Sequence, residues 1–401
     1  MPTSTPSTAV KWILNDMRGA PVITGNTPLC LIAALDALLV TGWGSVTAVS
    51  ASVTSGIATI TFNAGSSFTE HAVVLVAGAA PEQLNGEQRV LTASNTQITF
   101  ATTAPDGTAS GSITVKNAPA GWEKVFSGTN KAAYRSANIA GNRHYLRVDD
   151  TANLFARVRG YEAMTDVDTG SNPFPTDTQI SGGGYWIKSV TANSTAVPYL
   201  LAADNRALLV TLQFGRATDS TYTSSAVRGF GDPIALNPSG DAWCSFLSAD
   251  SASTGFNIHY GALSSSRADS SGSYGLTVSP RGWQGLGSAT LQRVMPYVGD
   301  PVKHSGTSDN LGAMPSVVDG QIKTSPLFLK DQASGMPPRS NIPGLYYLPQ
   351  SAGRTALPTP YSRQILADGR STLVVHTGDS YNSSSGDSVG VVLLDITGPW
   401  R

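Results

Sequence analysis

Short runs in which apolar and polar residues alternate cover most of this chain. Several lie close together between Val46 and Lys116, separated by Gly, Asn, Asp or Pro: GIATITF, HAVVLVAG, QRVLTAS, TQITFAT and GSITVKN. Successive side chains of a β-strand point to opposite faces, so this pattern predicts a small antiparallel β-module. The same pattern predicts later strands over 143–149, 154–164, 184–190, 207–214, 242–248, 255–260, 371–376 and 391–396.

One segment, residues 29–41, is instead apolar on nearly every side of a helical projection. Asn26 and Thr27 stand ahead of Pro28, which suits the first turn of a helix, and Gly42 suits its end. A helix that is apolar all round packs against protein on every side. The segment therefore predicts one buried helix.

These elements divide the chain into four parts. Residues 1–45 form an arm and the helix, 46–117 the β-module and 118–260 an antiparallel β-domain. NAPAGWEKV, directly after the module, is typical of a linker. Residues 261–401 are rich in Pro, Gly and Ser, and we expect an extended region with C-terminal strands, packed on the preceding domain. Within it, 280–370 shows few alternating runs, which predicts extended chain lying on a scaffold or on neighbouring subunits.

Composition argues against several classes of partner. Charged residues make up 13% of the chain, against about a quarter in ordinary soluble domains, and the formal net charge is −1. No run of Lys or Arg exceeds two residues, so we expect no nucleic-acid partner. The longest apolar run, 29–40, contains Asp36 and is well short of the about twenty residues that span a bilayer, so we expect no membrane insertion.

The N-terminus lacks the basic start and continuous apolar stretch of a secretory signal, which favours synthesis in the cytoplasm. Cys30 and Cys244 lie far apart, each among apolar neighbours. This pattern predicts two buried free thiols rather than a disulfide or a metal pair.

A candidate nucleophile occurs in LVVHTGDSYN, 373–382, where Gly-Asp-Ser follows a predicted strand as in lipase-like hydrolases. Ser380 would be the nucleophile, and it would need a histidine base held by a third group. In such hydrolases the acid and the histidine follow the serine, whereas no histidine follows His376. A serine-rich hairpin loop is the favoured interpretation, and we expect no enzymatic activity.

A candidate cation site occurs in DVDTGSNPFPTD, where Asp166, Asp168 and Asp177 occupy positions 1, 3 and 12 of a calcium-type loop, with Asn172 as a further oxygen donor. The sixth position is Ser171 instead of the glycine of an EF-hand, and no amphipathic helices flank the loop. Asx-type turns are the favoured use of these aspartates, and a cation site is the alternative.

The chain has five histidines, at positions 71, 144, 259, 304 and 376. No two of them are close enough in sequence to form a pair typical of zinc sites. We therefore assign no catalytic, cofactor-binding or metal-binding residue from the sequence.

The charge-rich stretch YLRVDDTANLFARVRGYEAMTDVDTG reads as two strands joined by DTAN, with Asp150 and Asn153 suited to the turn. One face of this hairpin would be apolar. The other would carry Arg147, Asp149, Arg157, Arg159 and Tyr161. Opposite charges across strands contribute about 0.2–1 kcal/mol per pair, so we expect this face to fix strand register rather than to form an active site.

Two pairs of adjacent aromatic residues, Tyr185 with Trp186 and Tyr346 with Tyr347, would each place one ring outward on a strand. Aromatic rings are enriched in subunit contacts, which is the favoured interpretation. Stacking on a sugar is the alternative.

Residues 46–116 resemble a small β-barrel module that recurs in bacteriophage virion proteins, in the stretches GIATITF, VVLVAGAAPEQLNGEQRVLTASNTQITFA and DGTASGSITV. The module is similar in fold to the first catalytic-cysteine half-domain of ubiquitin-activating enzymes, without their chemistry. Over at least residues 10–250 the chain resembles a family of phage structural proteins. The stretches that carry this resemblance are KWILNDMRGAPVITG, LIAALDALLVTGWG, APAGWEKVFSGTNKAAYRS, YLRVDD, ARVRGYEAMTDVDTG and WIKS, and more faintly NIPGLYYLPQ and DITGPWR.

The resemblance implies a mainly β fold: an N-terminal helix, a small antiparallel β-barrel, then a larger antiparallel β-sandwich-like region. It also implies a structural protein of a tailed-phage virion, expected in the tail or baseplate as a homo-oligomer in contact with other virion proteins. The family has no catalytic or cofactor residues to transfer, and no cofactor is expected. One alternative is a head-decorating, neck or collar protein, and the other is a tail protein that binds a host receptor or surface glycan.

Overall fold

The computed structural model describes residues 9–63, 65–66, 68–213, 225–253, 262–264, 275–298, 311–333, 335–350, 356–378 and 389–401. These residues are mainly β, as predicted, and contain one α-helix, a closed antiparallel barrel and a large antiparallel sheet. The predicted strand at 255–260 and the candidate Ser380 lie outside the described residues. Among the described residues, no helix has the length and apolar character that crossing a bilayer requires.

The helix α1, Cys30–Asp36, continues as a π-helical turn, Ala37–Thr41. It ends at Gly42, whose φ of 73° lies in the left-handed region. Its apolar side chains are buried, as predicted, except that of Ala33, which is exposed. The predicted start is wrong, because Leu29 occupies the N-cap position with a φ of 68° and no side chain of its own caps the helix.

The barrel occupies the predicted module and begins slightly earlier, at Trp43. Six strands close in the order β2-β3-β6-β5-β4-β8-β2, all antiparallel, and a short strand β7 extends the pairing of β2. Every second side chain of these strands points into the barrel interior. This alternation is the sequence pattern that predicted the module. The strands are β2 Trp43–Thr54, β3 Ile57–Phe62, β4 Val73–Ala77, β5 Gly86–Ala93, β6 Gln97–Ala101, β7 Gly107–Thr108 and β8 Thr114–Asn117.

Within the described ranges, the large sheet comprises 19 strands, which pair antiparallel throughout. Its first half contains β1 Lys11–Leu14, β9 Trp122–Gly128, β10 Lys131–Ser136, β11 Tyr145–Asp149, β12 Phe155–Met164, β13 Gly170–Phe174, β14 Gly184–Ile187, β15 Tyr199–Ala203, β16 Ala207–Leu212 and β17 Ala226–Gly231. Its second half contains β18 Ile234–Ala235, β19 Phe246–Asp250, β20 Gly275–Ser279, β21 Thr290–Pro296, β22 Ser325–Asp331, β23 Ser340–Tyr347, β24 Arg363–Ile365, β25 Ser371–Gly378 and β26 Val389–Asp395.

Apolar-polar alternation misses several of these strands, among them β15 and β17, because every residue in them is buried. A strand covered on both faces has no polar face, so its sequence shows no period of two. The linker predicted at NAPAGWEKV is wrong, since Trp122 opens β9. The extended chain predicted for 280–370 is wrong where β21 to β24 pair as regular antiparallel strands.

Strands on both sides of residue 260 belong to the same sheet. Leu247 of β19 pairs with Val278 of β20, and Ile234 of β18 pairs with Asn341 of β23. One apolar core, to which helix α1 contributes, runs beneath both halves. Both cysteines are buried free thiols, as predicted, and burial raises the pKa of Cys244 to about 12.

Candidate functional site

The charge-rich hairpin forms as β11 and β12, with Asp149 opposite Arg157 and Arg147 opposite Arg159. The first pairing sets opposite charges across the strands, as expected of this face, whereas the second sets two cations across from each other. Arg157 turns its guanidinium to Tyr185 Oη at 2.6 Å and to two backbone carbonyls. The face is therefore stabilised largely by contacts from outside the hairpin.

The candidate cation ligands Asp166, Asp168 and Asp177 are exposed, and each has its own partners. Asp166 Oδ1 accepts the backbone N–H groups two and three residues onward, at 2.8 and 2.9 Å, which is the favoured Asx-type turn. Asp168 accepts from Lys131 Nζ at 2.9 Å and from Arg147 Nη2 at 2.6 Å. These hydrogen bonds hold the pKa of Asp168 below its usual value.

Asp177 lies apart from the other two carboxylates. It accepts the backbone N–H of Gly182 at 2.9 Å and lies 3.0 Å from Arg159 Nη2, and both interactions lower its pKa. Asn172 donates to Glu162 Oε2 at 2.7 Å. Within the described part of the chain, no group of three or more His, Cys, Asp or Glu side chains is placed to hold a metal ion. The three aspartates act separately, in a turn and in two ion pairs.

Asp150 lies in the connection between β11 and β12, but it does not act as a turn residue, contrary to the prediction, because it is fully buried. Its Oδ2 accepts the backbone N–H groups of Leu31 at 2.8 Å and Ile32 at 3.3 Å, and so caps helix α1. Its Oδ1 lies 2.5 Å from Nζ of Lys188, which is also fully buried. Burial raises the pKa of Asp150, and Lys188 and the two amides oppose that effect.

His144 is buried at one end of a hydrogen-bonded chain with Ser245 and Asp232. Its Nδ1 lies 2.9 Å from Ser245 Oγ, which donates to Asp232 Oδ1 at 2.8 Å. Asn142 Nδ2 also donates to Ser245 Oγ, at 3.1 Å. These are the residue types of a Ser-His-Asp triad, brought together by three separate parts of the chain.

The order of the three groups differs from that of a triad. In a triad the histidine lies between serine and aspartate and accepts the serine proton. Here Ser245 lies in the middle and gives its one proton to Asp232, so Nδ1 of His144 must donate to Ser245. This chain of hydrogen bonds therefore leaves Ser245 without a base, and we assign it a structural role.

The buried His144 should make stability depend on pH. Burial lowers its pKa in the folded protein, so the unfolded chain, with an ordinary histidine pKa of about 6.5, takes up the proton first. Stability from this group is complete above about pH 6.5 and is lost as pH falls toward the folded pKa, by up to about 1.4 kcal/mol per pH unit. Urea unfolding of the wild type and of His144→Gln between pH 7 and pH 5 measures the difference. Equal pH slopes in the two proteins would contradict this assignment.

A cleft of about 600 Å³ combines exposed apolar walls with polar groups. Its floor is the buried ion pair of Arg339 and Asp241, joined by two hydrogen bonds of 2.6 and 2.9 Å. Arg339 also donates to the carbonyls of Arg281 and Trp243. The lining residues are Leu236, Asn237, Gly240, Asp241, Trp283, Gln284, Met336, Pro337, Pro338 and Arg339.

The cleft is suited to an apolar guest. Trp283 is 49% exposed and, with Leu236 and the Met-Pro-Pro segment, forms its walls. The charges at the floor already satisfy each other, so shape and apolar contact dominate binding. The local sequence does not indicate this cleft, because its walls come from three separate loops and Trp283 has no adjacent aromatic residue.

The remaining sequence candidates are aromatic residues and histidines. Trp186 is buried and donates from Nε1 to Ser248 O at 2.8 Å, while Arg157 covers the ring of Tyr185 at 4.1 Å from the centroid. Tyr346 and Tyr347 are both half-buried. His376 is buried with Nε2 2.7 Å from a backbone carbonyl oxygen, His71 is half-buried beside an acidic residue, and residues 259 and 304 lie outside the described ranges.

Comparison with protein-family models finds no match for this sequence, and a search of curated proteins finds none either. Neither comparison gives any residue of the chain a role. The roles proposed below rest on the sequence, the fold and the contacts already described.

Proposed function

We propose that this chain is a structural component of a tailed-bacteriophage virion, a tail or baseplate protein that acts in particle assembly. The stretch that resembles the phage module folds as a closed six-stranded barrel, which is the fold that the resemblance implies. The other phage-like stretches lie in helix α1 and in the strands around it. Their placement supports a shared framework rather than a shared active site.

The observation that carries the proposal is that separate phage-like stretches meet at helix α1. Asp150, from YLRVDD, caps the helix, and Lys188, from WIKS, pairs with Asp150. Lys124 and Tyr134, from APAGWEKVFSGTNKAAYRS, both bind Asp36 of the helix, at 2.8 and 2.7 Å. The stretches that resemble the family therefore contain residues that stabilise the fold. This pattern suits a structural protein, whose function depends on its shape.

The barrel is fastened to the large sheet by contacts spread over its surface. Ala9, Val73 and Ala118 form a buried apolar cluster between them. Lys11 pairs with Glu87 at 3.0 Å, and further polar contacts reach the barrel from the C-terminal strands. A barrel held in this way presents its surfaces at fixed positions relative to the sheet, as repeated copies in a particle require.

Low net charge also favours packing of many copies. The formal net charge is −1, and many of the charged side chains are paired within the chain, as in Arg339 with Asp241 and Arg401 with Asp204. Copies with so little net charge repel one another weakly, so wide neutral surfaces can approach.

The test is to locate the protein in purified particles of the phage that encodes it. Mass spectrometry of gradient-purified particles should find the chain at a copy number matching a symmetric ring, and a cryo-electron microscopy map should place it in the tail or baseplate. A nonstructural protein of the same phage, followed through the same purification, controls for carry-over. Absence from the particles would overturn the proposal, and density in the head, neck or collar would overturn the tail or baseplate position.

A further inference from the structure

The most exposed large apolar side chains among the described residues are neighbours in one turn. Val317 and Val318 are 93% and 90% exposed. The turn that carries them is held by its own bonds, since Gly320 N donates to Ser316 O at 2.8 Å and Lys323 pairs with Asp319. Two adjacent valines fixed in solvent form an apolar projection, which is unfavourable in an isolated molecule and favourable in an interface.

The cleft walled by Leu236, Trp283 and the Met-Pro-Pro segment is the matching concave feature. Its volume of about 600 Å³ accommodates two isopropyl groups with the backbone of a turn. Leu286, three residues after Trp283 in the sequence, is also apolar and is 73% exposed. A projection and a cleft of the same apolar character thus lie on one molecule.

The two features lie at opposite ends of strand β23. Met336 to Arg339, in the cleft, lead directly into Ser340, the first residue of the strand. Gln350, beyond the other end, holds the base of the turn through hydrogen bonds with Ala313 O and Lys323 N, at 3.0 and 2.7 Å. Ser340 pairs with Leu329 of β22 and Tyr347 pairs with Ser325, so the two ends of β23 are about 13 Å apart. No residue of the turn lines the cleft of its own chain.

We propose that the Val317–Val318 turn of one copy inserts into the Trp283 cleft of a second copy, and that copies thereby associate head to tail. This inference rests on the proposed assembly function and gives it an interface. The charges nearest to both surfaces are paired internally, Asp319 with Lys323 on the turn and Asp241 with Arg339 in the cleft, so no unpaired like charges oppose the contact. Because the two surfaces differ, the contact is heterologous, and its repetition yields a ring if the rotation closes.

The experiment measures the mass of the full chain by sedimentation over a concentration series. The wild type should associate as concentration rises. Val317→Ser with Val318→Ser, or Trp283→Ala alone, should weaken association by about tenfold or more, as loss of a buried anchor does. Ile139→Ser is the matched control, because Ile139 is 86% exposed but lies in neither surface, and it should associate like the wild type. All substituted side chains are exposed, so circular dichroism and urea midpoints should stay unchanged.

A mixing experiment identifies the heterologous geometry. The turn variant keeps an intact cleft and the cleft variant keeps an intact turn, so a mixture of the two should form 1:1 pairs that grow no further. A wild type that stays monomeric at every concentration, variants that associate normally, or a mixture that forms no pairs would each overturn the inference. Binding of a glycan array through Trp283 with unchanged association would also overturn it, in favour of a sugar site.

These results are independent of the particle test. Head-to-tail association by a protein absent from particles would retain this interface and remove the virion proposal. A protein present in particles whose turn and cleft variants associate normally would give the opposite result.

Discussion

Replacing Asp150 with asparagine should lower the free energy of unfolding by about 3–5 kcal/mol, because it leaves the buried ammonium of Lys188 without its counter-charge. Both side chains are fully buried, and Nζ of Lys188 lies 2.5 Å from Asp150 Oδ1. The asparagine oxygen can still accept from the first turn of helix α1, so the loss measures the charge rather than the helix cap. Urea unfolding followed by circular dichroism at pH 7 gives the difference.

Asp149→Asn is the control for this prediction. Asp149 is adjacent in sequence and also charged, but it is half-buried, and its partners are Arg147 at 3.4 Å and the exposed Thr151. Its replacement should cost about 1 kcal/mol or less. The double variant Asp150→Asn with Lys188→Met should recover part of the lost stability, since it removes the unpaired charge. Equal losses for the two single variants would show that Asp150 is an ordinary hairpin residue.

Trp400→Ala should destabilise the protein by about 3–5 kcal/mol, as truncation of a buried aromatic side chain does. Trp400, one residue from the end of the chain, is 5% exposed, and its Nε1 donates to Asp395 O at 3.0 Å. Its ring lies against Gly344, where a Cβ would overlap it. The side chain therefore fixes the C-terminus to β23, and thermal unfolding should show a clearly lower midpoint.

Trp283→Ala provides the comparison for this second prediction. Trp283 is the same residue type but is half-exposed at the cleft, so its loss should leave the thermal midpoint nearly unchanged. It should instead reduce association between copies. A Trp400→Ala protein with an unchanged midpoint would mean that the C-terminal segment adds little to the fold.

The part of the fold that could be predicted follows from burial on one face. In the barrel strands β3 and β6, interior residues alternate with more exposed ones, and the period of two is visible in the sequence. Strands such as β15 are buried on both faces, so nothing in their residue pattern separates strand from other buried chain. The charge-rich hairpin of β11 and β12 was predicted for the same reason as the barrel, since Leu146 and Val148 point into the core and their neighbours do not.

The candidate site could not be predicted in the same way. In the sequence, Asp150 looks like a turn residue because polar residues flank it. It caps a helix and forms a buried ion pair only because the fold brings it into contact with Leu31 and Lys188. The cleft likewise joins three loops that are distant in sequence. A pattern within a short stretch of sequence does not show which distant residues come into contact.

The sequence by itself determined the mainly β fold, the one buried helix and the small antiparallel module, because these depend on residue periods and turn residues within short stretches. It also determined the low net charge. Only the tertiary structure decided which carboxylate became buried, how the second half of the chain joins one sheet, and that an apolar turn and an apolar cleft lie at opposite ends of β23. Those features depend on contacts between residues that are distant in sequence. The free-energy cost of burying a charge or exposing a valine depends on the groups that surround it in the folded protein.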